Sequence, residues 1–198
     1  MVYLISTFLL GEVDLIGMTG EQQKSYLANF TRAIFVRNPH DRLLSAYNHL
    51  MLDPRQRNAL ITYLPKFKGK NAPEISFSDF VQALKNGAPK NVHWQTVGEL
   101  CSPCDIDYNF VGSLENFEED AKYLLKNILR TKYTYEDIFD SAAGPNYKVQ
   151  SKHPNVSYHD QYRQLSSDLK KFVAEYYMDD AKAFGYNMSM FSWLWSKW

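Results

Sequence analysis

Arg37, Arg42 and Ser45 stand in the run Arg37-Asn38-Pro39-His40-Asp41-Arg42-Leu43-Leu44-Ser45-Ala46-Tyr47, and they are the first of four groups of side chains whose types and spacing could do chemistry. A guanidinium fork with a nearby hydroxyl suits a phosphate or sulfate dianion, to which charge-assisted hydrogen bonds are roughly twice as strong as neutral ones. His93, beside Trp94, has two readings. It is a core histidine whose ring nitrogen the backbone satisfies, or a general base, because an unperturbed imidazole titrates near physiological pH. Cys101 and Cys104 are the only cysteines. Zinc would need two more ligands and His93 is the only near candidate, so no metal is expected; the pair reads first as structural, a local disulfide or two thiols, ahead of a redox dithiol. Arg55, Arg57, Lys66, Lys68 and Lys70 form the fourth group, with no acidic residue between Pro54 and Pro73. They are a solvated basic face or a local grip for a polyanion.

The elements that must position these groups are legible in part. Ala33 to Val36 is a short apolar run of the kind that forms a buried strand. Asn38 can cap a helix, and Pro39 costs nothing at its first position because the missing N–H would be unpaired there anyway. Leu43, Leu44, Tyr47 and Leu50 then make an apolar stripe expected to lie on the sheet, with Arg42 and Ser45 directed elsewhere. Strand, turn and helix put Arg37 at the strand's carboxyl end, where helix N–H groups favour an anion. The plain alternative is that Arg37 pairs with a carboxylate and Ser45 is a surface residue.

Thr19 with Gln22 predicts a capping box and a helix to about Phe30, and Ser76 to Leu84 predicts a second, closed by Gly87. Ile106 to Gly112 reads as a second strand. Asn116 with Glu119 predicts the cap of a following helix, whose first turns gather Glu115, Glu118, Glu119 and Asp120 to complement the dipole. The segment from Arg55 to Lys70 is punctuated by Pro and Gly, and the polar residues from Thr131 to His159 are expected as a long surface connection. One amphipathic helix should run from Leu165 to near Gly185.

Composition narrows the function class. With 198 residues, 14 Tyr, 12 Phe and 4 Trp, the chain suits one packed domain, and a formal net charge of zero gives no global field for nucleic acid. The apolar opening, Met1 to Leu10, is too short to span a bilayer and lacks a basic flank, so it reads as a buried strand or an ill-fitting terminus. Sequons at Asn29, Asn155 and Asn187 lean toward the secretory pathway.

Phe35 to Tyr47, then Asn91 to Thr96, Leu100 to Cys104, Tyr108 to Gly112 and Leu114 to Asp120 together resemble the Golgi carbohydrate sulfotransferases. The similar group contains the chondroitin and dermatan 4-O-sulfotransferases and the HNK-1 sulfotransferase, and the resemblance covers about Phe30 to Tyr186. It implies an α/β, P-loop-NTPase-like fold with a partial parallel sheet flanked by helices and a helix-rich carboxyl half. It implies sulfuryl transfer from 3′-phosphoadenosine 5′-phosphosulfate (PAPS) to a sugar hydroxyl of a glycosaminoglycan or glycoprotein glycan, in the Golgi lumen, by a type II membrane protein. Carried over by position, Arg37 and Ser45 bind the donor's 3′-phosphate, with Arg42 and Tyr47 in support. Arg55, Arg57, Lys66, Lys68 and Lys70 become candidates for acceptor contacts, and His93 the candidate base.

The chain departs from the family pattern before Ala33, where the resemblance implies a Gly-containing loop with a Lys and a Thr that holds the 5′-phosphosulfate. Gly17-Met18-Thr19-Gly20 has no Lys in place, nor is the family's amino-terminal anchor present. The expectation is a single domain over 1–198, amino-terminally truncated and with 1–18 a poorly matching terminus, with little transfer by these residues alone. A module that binds nucleotide or sulfated glycan without turnover is the second reading.

Overall fold

The computed structural model describes residues 18–70, 73–143 and 158–186. The apolar run at 1–10, the sequons at Asn155 and Asn187, and Trp193, Trp195 and Trp198 lie outside them. Among the described residues the order is α1 (Gly20–Asn29), β1 (Ala33–Val36), α2 (Pro39–Leu50), α3 (Pro54–Ile61), a 3₁₀ turn (Pro65–Phe67), α4 (Phe77–Lys85), α5 (Val97–Cys101), β2 (Phe110–Ser113), α6 (Phe117–Tyr123), a π-helical turn (Leu124–Ile128), α7 (Tyr135–Ala143), α8 (Tyr158–Arg163), α9 (Ser167–Tyr176) and α10 (Met178–Ala183). The chain divides into two compact units, 1–37 with 97–153 and 38–96 with 154–198. It is an α/β protein whose helices outweigh its sheet.

The first unit is built on β1, every residue of which is buried. β1 pairs in parallel with β2, Ala33 opposite Phe110 and Val36 opposite Ser113. A parallel pair needs a long crossover, which the residues between 37 and 109 supply. Ala33 and Phe35 pack with Ala121 and Leu124, and Phe110, Phe117, Tyr135 and Phe139 close around them. Gly112 is required opposite Phe35, since a Cβ there would sit 2.6 Å from the ring. α1 begins with the predicted capping box between Thr19 and Gln22.

Two expectations change here. Asn116 is the first residue before α6 but its side chain makes no capping bond. Instead the Asp120 carboxylate accepts the Ser113 N–H at 2.6 Å and Ser113 Oγ accepts the Asn116 N–H at 3.1 Å, tying the helix start to the strand end. The stretch after Thr131 is not all connection, because Thr134 and Asp137 exchange capping bonds at 2.8 and 3.1 Å and start α7.

In the second unit α4 is central and packs on α2, α3 and α9. Its start is a capping box, Ser76 with Asp79, and it ends before Gly87 at φ +90°. Phe77, Phe80 and Val81 bury against Leu43, Leu44, Trp94, Tyr162, Leu169, Val173 and Tyr177. The apolar stripe of α2 therefore joins this helical core, where the sequence had put it on the sheet. The basic segment is partly helical, because Asp53 caps α3 and Pro54 takes the first position. The helix expected from Leu165 to near Gly185 is two, α9 and α10, with Ser166 capping α9 and Gly185 at φ +70° after α10. No helix among the described residues is long and apolar enough to cross a membrane.

Candidate functional site

Arg37 follows the last residue of β1 and is half-buried. It makes no ion pair with a carboxylate among the described residues. Asn38 follows, and its side chain accepts the His40 N–H at 3.0 Å, opening α2 as the sequence predicts. Ser45 is half-buried in the second turn of α2. A buried strand that stops, a polar cap and a helix thus hold the backbone on either side of Arg37.

Three other residues of the same run face the interior of the second unit. His40 is 3% exposed, and burial pulls its imidazole down to about 4. The Tyr162 hydroxyl donates to its carbonyl at 2.9 Å. Arg42 is 8% exposed; its guanidinium donates to the Gln95 carbonyl and lies 4.0 Å from the Asp180 carboxylate. The Tyr47 hydroxyl donates to the Ile75 carbonyl at 2.9 Å. Burial first, then Asp79 and Glu74, raise its pKa.

His93 is exposed, whereas its neighbour Trp94 is buried against Phe80 with ring centroids 5.5 Å apart. The core role thus belongs to the indole. The His93 N–H is accepted by Asn91 Oδ1 at 3.0 Å, and its ring is 6.4 Å from that of His49 at the end of α2. Desolvation holds its imidazole below the ordinary value, which keeps it in the neutral, proton-accepting form.

The five basic residues do not act as one face. Arg55 pairs with Asp53 at 3.0 Å. Arg57 donates to the Met51 and Leu52 carbonyls at the end of α2, at 2.5 and 3.1 Å, and so serves as a helix cap. Lys66 pairs with Asp79 and lies 4.9 Å over the Phe67 ring, which Lys70 approaches at 5.4 Å. Burial works against the Asp79 carboxylate, yet Lys66 and Ser76 hold it below the usual range. Lys66, Lys68 and Lys70 are exposed. Cys101 is buried and Cys104 exposed, the two not joined in a disulfide, and the Tyr108 hydroxyl donates to the Cys101 carbonyl at 2.9 Å. Among the described residues no cluster of three or more His, Cys, Asp or Glu could hold a metal.

Sequence reasoning did not find His49, Tyr177 or Asp180. Their partners stand far away along the chain, and no local pattern marks them.

The family model described as "Sulfotransferase family" matches residues 13–187. Carbohydrate sulfotransferase 8 of Mus musculus is 28% identical over 175 residues, covering 81% of this chain and 41% of that protein. Carbohydrate sulfotransferase 9 of Homo sapiens is 28% identical over 177 residues, covering 81% and 38%. Carbohydrate sulfotransferase 11 of Danio rerio is 35% identical over 116 residues, covering 50% and 33%. The chain spans about two fifths of the length of the first two curated relatives. No solved structure matches it.

Proposed function

The chain belongs to the sulfotransferase family, and from that premise we propose that it takes part in PAPS-dependent sulfation of a carbohydrate hydroxyl. Relatives called carbohydrate sulfotransferases support the acceptor class. The observation that carries the reading is Arg37: a half-buried guanidinium at the end of a fully buried strand, immediately before a capped helix, with no carboxylate among the described residues to neutralise it. A group of that kind fits a phosphate dianion, and burial of the strand fixes where it sits.

In this reading Arg37 and Ser45 hold the donor's 3′-phosphate, on a P-loop-like sulfotransferase fold. His93 accepts the proton of the sugar hydroxyl. The acceptor oxygen bonds to sulfur while the bond from sulfur to the donor's phosphate oxygen breaks, so the sulfuryl group changes partner and the proton ends on the imidazole. Lys68 and Lys70, with Lys66, supply counter-charge to a glycosaminoglycan acceptor of chondroitin or dermatan type. The reaction belongs in the Golgi lumen, consistent with an exposed sequon at Asn29.

Calorimetry with adenosine 3′,5′-bisphosphate tests the donor half directly. Loss of a charged hydrogen bond costs about 1.5–3 kcal/mol, so Arg37→Ala should weaken binding by about 10- to 150-fold. Ser45→Ala, which loses a neutral donor to an anion, should weaken it severalfold. Equal affinity of wild type and Arg37→Ala would overturn the assignment. Transfer of labelled sulfate from PAPS to chondroitin tests the rest.

A further inference from the structure

The turn from Asn91 to Thr96 is tied down at two successive carbonyls. Tyr177, 1% exposed, donates its hydroxyl to the Trp94 carbonyl at 2.5 Å. Arg42 donates to the next carbonyl, that of Gln95. Its guanidinium lies 5.9 Å over the Tyr177 ring and 4.0 Å from the Asp180 carboxylate, with side chains 9% and 2% exposed. Inside the turn the Asn91 carbonyl accepts the N–H groups of Trp94 and Gln95 at 3.0 and 2.8 Å, and the Asn91 side chain accepts that of His93. Trp94 is anchored on Phe80. From this backbone the His93 ring projects exposed, its centroid 6.4 Å from that of His49.

A buried ion pair is a poor device for stability alone, because apolar residues of similar volume usually do as well or better. Two carbonyls in sequence, each held by a buried side chain from a different helix, fix the direction of a backbone instead. We propose that Arg42, Asp180 and Tyr177 are positioning residues for His93: they hold the Trp94–Gln95 backbone so that its imidazole meets the acceptor hydroxyl in one orientation, with His49 as its neighbour. The inference rests on His93 as the proton acceptor. It explains why the second Arg of the run points inward while Arg37 does not. Arg42 serves the turn opposite and not the donor anion.

The test is nuclear magnetic resonance on the full 198-residue chain, reading the proton–proton contact between the His49 and His93 rings. Tyr177→Phe removes one hydroxyl and keeps the ring; folded by circular dichroism, it should lose that contact and shift the His93 ring resonances. Arg42→Lys, which keeps the charge but loses the fork, should weaken the contact without abolishing it. Tyr108→Phe is the control, because it too removes a hydroxyl-to-carbonyl bond, to Cys101, and should leave both rings unchanged. A folded Tyr177→Phe with wild-type ring contacts overturns the proposal. Should both variants unfold, the unaltered chain decides: a slowly exchanging Tyr177 hydroxyl proton in contact with the Trp94–Gln95 backbone upholds the clamp, and its absence sinks it. His93→Asn with undiminished sulfate transfer would refute the base while leaving the clamp standing on its spectra.

Discussion

Acidification should destabilise the second unit through one residue, His40. The ring sits in the first turn of α2, 3% exposed and edge-on to Tyr162 with centroids 5.4 Å apart. Burial lowers its pKa from 6.5 to about 4. The folded value lies below the unfolded one, so between them the unfolded chain binds more protons. The stability contribution is therefore complete above the unfolded pKa and is lost as the pH falls toward the folded one. Each pH unit in the window is worth about 1.4 kcal/mol, which makes the whole interval about 3 kcal/mol and the loss at about pH 5 near 2 kcal/mol. Carboxylates held low by their partners, such as Asp53, Asp79 and Asp137, lose their contribution only at more acid pH. His93 has the same sign as His40 but is exposed and adds little. Urea unfolding followed by circular dichroism measures the effect. With a slope of about 2 kcal/mol/M, the midpoint should fall by about 1 M between about pH 7 and pH 5. His40→Gln, which cannot titrate, should flatten that dependence. A variant that loses as much stability over the same interval as the wild type would refute the assignment to His40.

Two further outcomes follow from the same unit. Asp180→Ala leaves the Arg42 guanidinium buried without its carboxylate and should cost about 3–5 kcal/mol in urea unfolding; Arg42→Met with Asp180→Leu should recover much of that. Ser76→Ala removes the hydroxyl that accepts the Asp79 N–H at 3.2 Å and donates to its carboxylate at 2.8 Å. It should cost about 1 kcal/mol, read as a lower thermal midpoint.

What was legible in the sequence was local. β1, the Asn38-Pro39 start of α2 and the capping boxes at Thr19 and Ser76 are written in residues within four positions of one another, and backbone geometry needs little else to act on them. Pattern was not enough at α6: Asn116 and Glu119 have the right spacing, but no side chain caps the helix, and Asp120 accepts the Ser113 N–H of the preceding strand. The destination of the α2 stripe was not legible either, because periodicity shows which face is apolar and not which element covers it. The stripe goes to α4 and the carboxyl-terminal helices. In the candidate site, Arg37 and Ser45 were legible as types in a run. The partners of Arg42 were not, since Gln95 and Asp180 lie in other elements with nothing beside them in sequence to announce the bond.

The basic segment makes the same point about charge. Five cations without an intervening acid look like one positive surface, yet each acts through what it touches. Asp53 and Asp79, just outside the run, neutralise Arg55 and Lys66, while Arg57 is spent on the carbonyls that end α2. Only Lys68 and Lys70 remain exposed without an acidic partner among the described residues, and Lys70 lies over the Phe67 ring. Carbonyls do not cancel the Arg57 charge, so a polyanion arriving here would meet a charge nearer three than five, and the salt dependence of its binding would be correspondingly shallower. Arg37 differs from all five: it directly follows a fully buried strand and is itself half-buried. A long surface lysine must lose side-chain freedom to bind, and a half-buried arginine starts with less of it to lose. On that ground, beside the family resemblance, the proposed function places the donor anion at this half-buried guanidinium and not at the segment where most of the positive charge is written.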